Sequence, residues 1–176
     1  MTRGELAERI RAAAFLEGEF TLRSGRKSSF YIDKYLFETQ PEILRELGKQ
    51  LAQKASAQTS RIAGAELGGV SLAAATAMAA QLPFVIIRNA KKDYGTGRAF
   101  EGRMEPGDRV LLVEDIATTG GQILEAARVI EESGATVERI VAVVDRREGA
   151  AENIISAGYV FESLLDSRDL RLPGAV

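Results

Sequence analysis

The sequence predicts an α/β fold: an open, mainly parallel sheet with helices on both faces, preceded by a small N-terminal cap. Three observations indicate this fold class. From Pro41 onward, helical and extended patterns alternate along the chain. Two extended runs, Arg109–Glu114 and Arg139–Asp145, contain uninterrupted apolar stretches, which are typical of parallel strands covered on both faces. The length of 176 residues suits one domain, so we expect residues 1–176 to share one core.

Residues 1–40 predict a helix and a ribbon that stands apart from the main sheet. Apolar residues at helical spacing favour a helix over Glu5–Phe15, with the helical region ending near Gly18. Two short runs rich in aromatic or β-branched residues follow, Phe20–Leu22 and Ser29–Ile32, and a polar turn over residues 23–27 separates them. We expect this ribbon to form the cap.

Residues 41–165 predict the α/β core. Its elements, in chain order, are helix Pro41–Ala57, strand Arg61–Ala65, helix Ser71–Gln81, strand Phe84–Arg88, strand Arg109–Glu114, helix Gly121–Ser133, strand Arg139–Asp145, helix Ala150–Ala157 and strand Phe161–Leu164. Residues 89–108 are rich in glycine and show no periodic pattern. Because a segment of about 20 residues without regular structure is uncommon in a compact domain unless it is functional, we interpret residues 89–108 as a mobile catalytic loop.

The composition excludes several classes of active site and partner. With no cysteine and no histidine, the chain cannot form a Ser–His or Cys–His nucleophile pair, a Cys/His zinc site or a disulfide. The net charge of −2 argues against binding long nucleic acid through a general positive field. The most apolar stretch, Ser71–Ile87, is interrupted by Gln81 and Pro83, so we predict no membrane span. The N-terminus is amphipathic and charged rather than a signal sequence, which favours a cytoplasmic location.

Charged residues or glycines follow four of the predicted strands. In an open parallel sheet, ligands bind beyond the carboxyl ends of the strands, where loops and helix N-termini converge. The four junctions are Glu66–Gly69, Arg88 with the loop after it, Glu114–Gly121 and Asp145–Glu148. The sequence therefore predicts a polar ligand site at one edge of the sheet.

The junction Glu114–Gly121 indicates what the ligand is. Two acids lead into a Thr-Thr-Gly-Gly turn that opens a helix. Glycines let successive backbone N–H groups turn inward and threonine hydroxyls add donors, so the turn suits a phosphate. The acids can accept hydrogen bonds from sugar hydroxyls, so the whole order suits a phosphorylated ribose. The alternative is that residues 115–121 only end a strand and cap a helix.

The loop after Arg88 is basic. Between Arg88 and Arg103 the sequence has five basic residues and two acidic ones. A glycine-hinged basic loop can close over a polyanion and stabilise charge that develops during a reaction. Taken alone, the pattern also fits a solvated charged loop, but beside a phosphate cradle it predicts a pyrophosphate clamp.

The segment Val110–Gly121, VLLVEDIATTGG, resembles the phosphoribosyl pyrophosphate motif of type I phosphoribosyltransferases. Further segments resemble the orotate phosphoribosyltransferase branch of that superfamily: Phe20–Ser28, Gly64–Gly69, Arg88–Gly97 and the pair Asp145-Arg146. They stand in the family's order and spacing, so the resemblance covers almost the whole chain. It implies the type I phosphoribosyltransferase fold, with the N-terminal cap as its hood.

The resemblance implies transfer of ribose 5-phosphate from phosphoribosyl pyrophosphate to a ring nitrogen of orotate, giving orotidine 5′-phosphate and pyrophosphate in pyrimidine synthesis. It implies Lys92 and Asp115 as catalytic residues. The residues implied to bind phosphoribosyl pyrophosphate are Arg88, Lys91, Lys92, Tyr94, Glu114, Asp115, Ile116, Ala117, Thr118, Thr119, Gly120, Gly121 and Gln122. The residues implied to bind orotate are Arg23, Tyr31, Thr118 and Arg146.

The resemblance also implies a cofactor and an assembly. Mg²⁺ would be carried chiefly by phosphoribosyl pyrophosphate, with no metal site built from protein side chains alone. The chain would form a homodimer that shares the 89–108 loop across its interface. The sequence departs from the family's pattern at Asn89, where many members have lysine, and this removes one cation from the leaving-group side.

Two other functions stay open at this point. The phosphate motif is shared across the superfamily, so the acceptor could be a purine or another base, although Phe20–Ser28 and Arg146 favour an acidic pyrimidine. A non-catalytic regulator that senses phosphoribosyl pyrophosphate and binds nucleic acid would need an added helix-turn-helix or a basic face, and the sequence offers neither.

Overall fold

The computed structural model describes residues 1–21, 25, 27–89 and 99–173. The helices in this part of the chain are α1 (Arg3–Ala14), α2 (Lys34–Glu38), α3 (Pro41–Ala52), α4 (Gly68–Ala80), α5 (Gly121–Glu132) and α6 (Ala150–Ser156). The strands are β1 (Phe15–Thr21), β2 (Lys27–Ile32), β3 (Arg61–Ala65), β4 (Phe84–Ile87), β5 (Phe100–Glu101), β6 (Arg109–Ala117), β7 (Thr136–Asp145) and β8 (Phe161–Asp166).

The central sheet has the strand order β5-β4-β3-β6-β7-β8. Strands β4, β3, β6, β7 and β8 pair in parallel, whereas β5 pairs antiparallel with β4 at the edge. This arrangement confirms the predicted open, mainly parallel α/β sheet. The carboxyl ends of the parallel strands therefore lie at one edge, where the sequence predicts the ligand site.

Helices cover both faces of the sheet, and β6 shows why its sequence is uninterruptedly apolar. Leu111 and Val113 belong to the apolar cluster that contains residues of α1, α3 and α4. Val110 and Leu112 point the other way and join the cluster that contains residues of α5 and α6. Because side chains alternate along a strand, both sets of apolar residues are needed to bury β6 on its two faces.

The N-terminal region forms the predicted helix and a separate antiparallel ribbon of β1 and β2. A capping box between Thr2 and Glu5 starts α1, so the helix begins two residues earlier than predicted. It also ends one residue earlier, at Ala14, because Phe15 already pairs with Ile32 in the ribbon. The ribbon is thus longer than the sequence predicts.

Two short elements do not appear in the sequence prediction. The first is α2, a helix of five residues that Asp33 caps by accepting a hydrogen bond from the Tyr35 N–H at 3.1 Å. The second is β5, which pairs Phe100 and Glu101 with the end of β4. Both elements are too short to show a periodic pattern.

Several predicted boundaries are wrong. Helix α3 ends at Ala52 instead of Ala57, and α4 starts at Gly68 instead of Ser71. Strand β6 continues to Ala117, so the acids at its end are paired within the sheet and do not follow it: Glu114 is in register with Ala142 of β7.

The prediction that residues 89–108 lack regular structure is wrong for the C-terminal part of this segment. Strand β5 lies within it, and the Met104 side chain is buried against the core. Residues 90–98 lie outside the described part of the chain, and the mobility of the loop stays a prediction. None of the helices in the described ranges has the length and apolar character needed to cross a membrane.

A close backbone approach fixes the junction between β3 and α4. A Cβ added at Gly64 would lie 2.1 Å from the carbonyl oxygen of Gly69 and 3.0 Å from the Cβ of Ala73. Real Cβ atoms do not approach backbone this closely, so β3 and α4 can pack in this way only when residue 64 is glycine.

We therefore expect Gly64→Ala to lower the free energy of unfolding by roughly 1–3 kcal/mol, the usual cost of overpacking a core. Urea denaturation measures this change. Gly4→Ala is the matched control: Gly4 lies in α1 with nothing within 4 Å of an added Cβ, so the same substitution should stabilise the protein by ~0.5–1 kcal/mol. Equal effects of the two substitutions would contradict the packing explanation.

Candidate active site

A cavity of about 580 Å³ lies at the end of β6. Helix α5 starts there at Gly121, and Gly120 before it has a φ of +82°, in the left-handed region that glycine adopts without strain. The first backbone N–H groups of a helix have no partner within the helix, so this cavity wall suits an anion. The predicted phosphate-binding residues that line the cavity are Glu114, Ile116, Thr118, Thr119, Gly120, Gly121 and Gln122.

Helix α6 contacts the turn Thr118–Gly121, which is called the phosphate turn below. The Asn153 amide donates a hydrogen bond to the Thr119 carbonyl oxygen at 2.9 Å. Gly120 lies so close to this helix that an added Cβ would be 3.1 Å from a side-chain carbon of Ile154. No local sequence pattern indicates Asn153, because its hydrogen bond joins it to Thr119, which lies 34 positions earlier in the chain.

The two acids at the end of β6 have different surroundings. Glu114 lines the cavity, and its carboxyl group is almost completely buried. Desolvation, followed by repulsion from Asp115, raises the pKa of Glu114 well above its ordinary value. Asp115 and Ala117 are predicted ligand contacts as well, but both are buried and neither lines the described cavity.

Lys34 of α2 forms an ion pair with Asp115, with 2.6 Å between Nζ and Oδ2. The side chain of Asp115 is 3% exposed and that of Lys34 is 31% exposed, so the pair joins a buried carboxylate to a half-buried cation. Burial disfavours the charge on Lys34, but attraction to Asp115 and the hydrogen bond that the ammonium donates to it outweigh this effect and raise the pKa of Lys34. No sequence pattern indicates Lys34, because a helix of five residues is too short to show a helical periodicity.

Glu38, at the end of α2, is a second residue that the sequence did not indicate. Its side chain is buried, and its Oε1 atom has no hydrogen-bond partner among the described residues. Desolvation, with repulsion from Asp115, raises the pKa of Glu38 to about 8. Near neutral pH this carboxyl group is therefore mostly protonated.

The ends of β3 and β4 are tied together beside the cavity. Asn89 donates two hydrogen bonds to Glu66, one from its backbone N–H to Oε1 at 2.8 Å and one from its side-chain amide to the carbonyl oxygen at 3.1 Å. Arg88 lies next to them and contacts Glu101 of β5 at 3.3 Å. A smaller cavity lined by Arg88, Asn89 and Gln122 adjoins the phosphate turn, because Gln122 lines both cavities.

The structure brings the cap and the end of β7 together. The backbone N–H of Arg146 bonds to the Ala117 carbonyl oxygen at 2.9 Å, which places Arg146 beside the end of β6. Its guanidinium lies 5.8 Å from the centre of the Phe30 ring on β2. Tyr31, the next residue of β2, is 42% exposed and packs against Phe20 of β1.

Four predicted site residues lie outside the described part of the chain: Arg23, Lys91, Lys92 and Tyr94. Among the described residues, no cluster of three or more histidine, cysteine or acidic side chains could hold a metal ion. The described site therefore combines a glycine-containing turn at the start of α5, two carboxyl groups beside it, and the Arg146 guanidinium near the aromatic residues of the cap.

Comparison with known proteins identifies relatives across almost the whole chain. A family model described as a phosphoribosyl transferase domain matches residues 37–166. The orotate phosphoribosyltransferase of Natronomonas pharaonis is 43% identical over 171 residues, which are 97% of this chain and 98% of that relative.

Solved structures agree. The orotate phosphoribosyltransferase of Mycobacterium tuberculosis H37Rv in complex with Fe(III) dicitrate matches with a TM-score of 0.88 at 34% identity, covering 97% of this chain and 99% of the other. The same enzyme in complex with phosphoribosyl pyrophosphate matches with a TM-score of 0.82 at 32% identity, covering 97% and 99%.

The raised pKa of Glu38 predicts how stability depends on pH. The folded protein holds this proton more tightly than the unfolded chain, so the stabilisation is complete below the ordinary value of 4.5 and is lost as pH rises through about 8. Glu38→Gln cannot ionise. We expect the free energy of unfolding to fall between about pH 5 and pH 9 less steeply in Glu38→Gln than in the unsubstituted protein.

Urea denaturation at a series of pH values measures both curves. The chain has no histidine, so few groups besides Glu38 and Glu114, whose pKa is also raised, titrate in this range. Glu42→Gln is the control: Glu42 lies at an exposed position of α3, where it pairs with Arg9, and its substitution should leave the slope of the curve between about pH 5 and pH 9 unchanged. Parallel curves for the unsubstituted protein and Glu38→Gln would contradict the assignment.

Proposed function

The chain belongs to the phosphoribosyltransferase family, and we infer from this premise that it transfers ribose 5-phosphate from phosphoribosyl pyrophosphate to orotate, giving orotidine 5′-phosphate and pyrophosphate in pyrimidine biosynthesis. The observation that carries this function is the turn after β6, where two acids lead into a glycine-based anion cradle. The reaction needs no histidine or cysteine, because its main requirement is to stabilise the departing pyrophosphate.

The 5′-phosphate is proposed to bind residues 116–122, where backbone N–H groups at the start of α5 and the hydroxyls of Thr118 and Thr119 supply donors. The ribose hydroxyls then lie next to Glu114 and Asp115. A protonated Glu114 can both donate and accept a hydrogen bond, and it repels the phosphates less than a carboxylate would. The weaker repulsion from a protonated carboxyl group explains how Glu114 can lie in the wall of an anion site.

The pyrophosphate is proposed to leave toward the basic loop, where Arg88, Lys91, Lys92 and Tyr94 meet it. Arg88 and Gln122 line the cavity that adjoins the phosphate turn, which supports a diphosphate path along this side. Asn89 adds no charge here and instead fastens the end of β4 to Glu66. The cations of the loop therefore have to supply what a lysine at position 89 would provide.

Orotate is proposed to bind between the cap and the end of β7, in contact with Arg23, Tyr31, Thr118 and Arg146. The placement of Arg146 between the end of β6 and Phe30 of the cap supports this site. A guanidinium can pair with the orotate carboxylate, and an exposed aromatic side chain can pack against its ring. The base would then attack the face of the anomeric carbon opposite the pyrophosphate, with inversion.

Mg²⁺ is the proposed cofactor. No cluster of acidic side chains among the described residues could hold the ion, whereas the pyrophosphate oxygens and the ribose hydroxyls of the substrate supply the oxygen donors that Mg²⁺ prefers. The ion would be carried mainly by phosphoribosyl pyrophosphate and would help neutralise the leaving group. We also propose a homodimer that shares the 89–108 loop across its interface; because Phe100, Glu101 and Met104 pack within their own subunit, only the part of this loop before them is proposed to reach the other site. A cytoplasmic location stays a prediction.

The function predicts a base-specific reaction. The purified protein with Mg²⁺ and phosphoribosyl pyrophosphate should release pyrophosphate with orotate and not with uracil, adenine or hypoxanthine. Chelation of Mg²⁺ should abolish the release. Turnover with a purine would assign another base, and binding of phosphoribosyl pyrophosphate without turnover of any base would favour the regulator.

The proposed role of the basic loop at the leaving pyrophosphate gives a second prediction. Because Lys92 is proposed to stabilise charge on the leaving pyrophosphate, Lys92→Ala should lower kcat by ~10²-fold or more. Mixing the impaired Lys92→Ala and Arg146→Ala proteins should restore part of the activity, since a hybrid dimer with a shared loop contains one intact site. Unchanged kcat would remove the role of Lys92, and a failure of mixed subunits to recover activity would remove the shared loop.

A further inference from the structure

We propose that Lys34 is a positioning residue for this reaction, which fixes the Asp115 carboxylate at the ribose through their ion pair. The proposal rests on the proposed role of Asp115 in binding the ribose hydroxyls. It concerns a residue outside the phosphoribosyl pyrophosphate motif, on a short helix that connects the cap to the core.

Both oxygens of Asp115 are held by defined partners. Lys34 donates to Oδ2 at 2.6 Å, and the backbone N–H of Ile116 donates to Oδ1. A carboxylate offers about four lone-pair sites, so these two contacts leave acceptor capacity for sugar hydroxyls. The contacts therefore set the orientation of the carboxylate without using up its ability to bind ligand.

Gly68 lies directly against the ion pair between Lys34 and Asp115. A Cβ at Gly68 would lie 1.6 Å from Oδ2 of Asp115 and 3.0 Å from Nζ of Lys34. The ion pair is thus packed directly against the start of α4. Residues from α2, β6 and α4 meet at one carboxylate, which has little room to adopt another rotamer.

Lys34 compensates the charge of Asp115. Glu38 and Glu114 lie close enough to Asp115 to interact with it electrostatically, so without Lys34 the Asp115 carboxylate would have two further carboxyl groups as its neighbours. Among the described residues, Lys34 is the cation in contact with Asp115. Removing one partner of a buried ion pair leaves the other charge without compensation, and the remaining carboxylate then tends to move or to take up a proton.

The backbone around Lys34 fixes where its side chain starts. Asp33 caps α2 by accepting from the Tyr35 N–H, and its own backbone N–H bonds to the Ala14 carbonyl oxygen at 3.0 Å. The ammonium is therefore presented from a fixed point between the cap and the core. A lysine held in this way can act on a buried carboxylate more effectively than one on a free loop.

The test compares Lys34→Met with Lys34→Arg and with a matched control. Lys54→Met is the control, because Lys54 also forms a 2.6 Å ion pair with a half-buried side chain, to Glu162 on β8, away from the site. Lys34→Met should raise the KM and the Kd for phosphoribosyl pyrophosphate about tenfold or more, the usual size of one hydrogen bond to a charged group. Lys34→Arg should recover most of this loss of affinity. Lys54→Met should have the same KM and Kd as the unsubstituted enzyme. In all three variants the KM for orotate should change less than threefold.

A double-mutant cycle decides whether Lys34 acts through Asp115. If it does, Lys34→Met made in an Asp115→Asn background should change the Kd less than twofold. A second tenfold loss in that background would mean that Lys34 touches the substrate itself, and equal effects of Lys34→Met and Lys54→Met would mean a purely structural role; either result overturns the proposal. Thermal unfolding checks that each variant folds, and Lys34→Gln replaces Lys34→Met if the latter does not.

The Kd, measured by calorimetry, separates this proposal from the proposed function. If the unsubstituted protein binds phosphoribosyl pyrophosphate but does not use orotate, the choice of base fails while the Kd comparison still tests Lys34. If the unsubstituted protein does not bind phosphoribosyl pyrophosphate, both proposals fail.

Discussion

The end of β6 holds two carboxyl groups directly beside the turn that is proposed to bind phosphate, and the rest of the proposed site depends on how the repulsion between these negative charges is reduced. Carboxylates repel phosphates, and burial makes each charge more costly. The two acids resolve the conflict differently. Desolvation, and then repulsion from Asp115, raise the pKa of Glu114 in the cavity wall, which favours its uncharged form. Asp115 lies deeper and is compensated by Lys34. The phosphate turn can therefore follow these acids within four residues without facing two uncompensated negative charges.

The fold brings the other parts of the site to that point. Parallel pairing places the ends of β3, β4, β6 and β7 at one edge of the sheet, so residues distant in sequence, such as Ala65, Arg88 and Gln122, line the smaller cavity that adjoins the phosphate turn. The close approach of Gly64 and Gly69 lets α4 start immediately behind β6, where Gly68 packs against Asp115. Helix α6 holds the phosphate turn through Asn153. The cap reaches the same edge through Phe30 and Arg146. Each of these contacts restricts the motion of a group that is proposed to meet the substrate.

Much of this architecture could be predicted from local sequence patterns, and the remainder depends on contacts between distant residues. Strand β3 was predicted with its observed bounds because it is a short run of small and apolar residues next to clear turn signals. The sequence indicates the phosphate turn because its chemistry lies within eight consecutive residues, and its role in binding phosphate stays a prediction. Helix α2 and strand β5 were missed, since five residues and two residues carry no periodicity. The partnership of Lys34 with Asp115 spans 81 positions in sequence, and nothing near either residue indicates the other. The burial of Asp115 was missed for the same reason: its position in the motif indicates ligand contact, whereas its exposure depends on α2 and α4.

A crystal structure of the protein with Mg²⁺ and phosphoribosyl pyrophosphate would show whether the 5′-phosphate binds at the phosphate turn. The 5′-phosphate should lie within hydrogen-bond distance of backbone N–H groups between Thr118 and Gln122, with the ribose hydroxyls facing the carboxyl groups that end β6. Density for the ligand at another place, with this turn empty, would contradict the assignment of the turn as the phosphate site and every role that is derived from it.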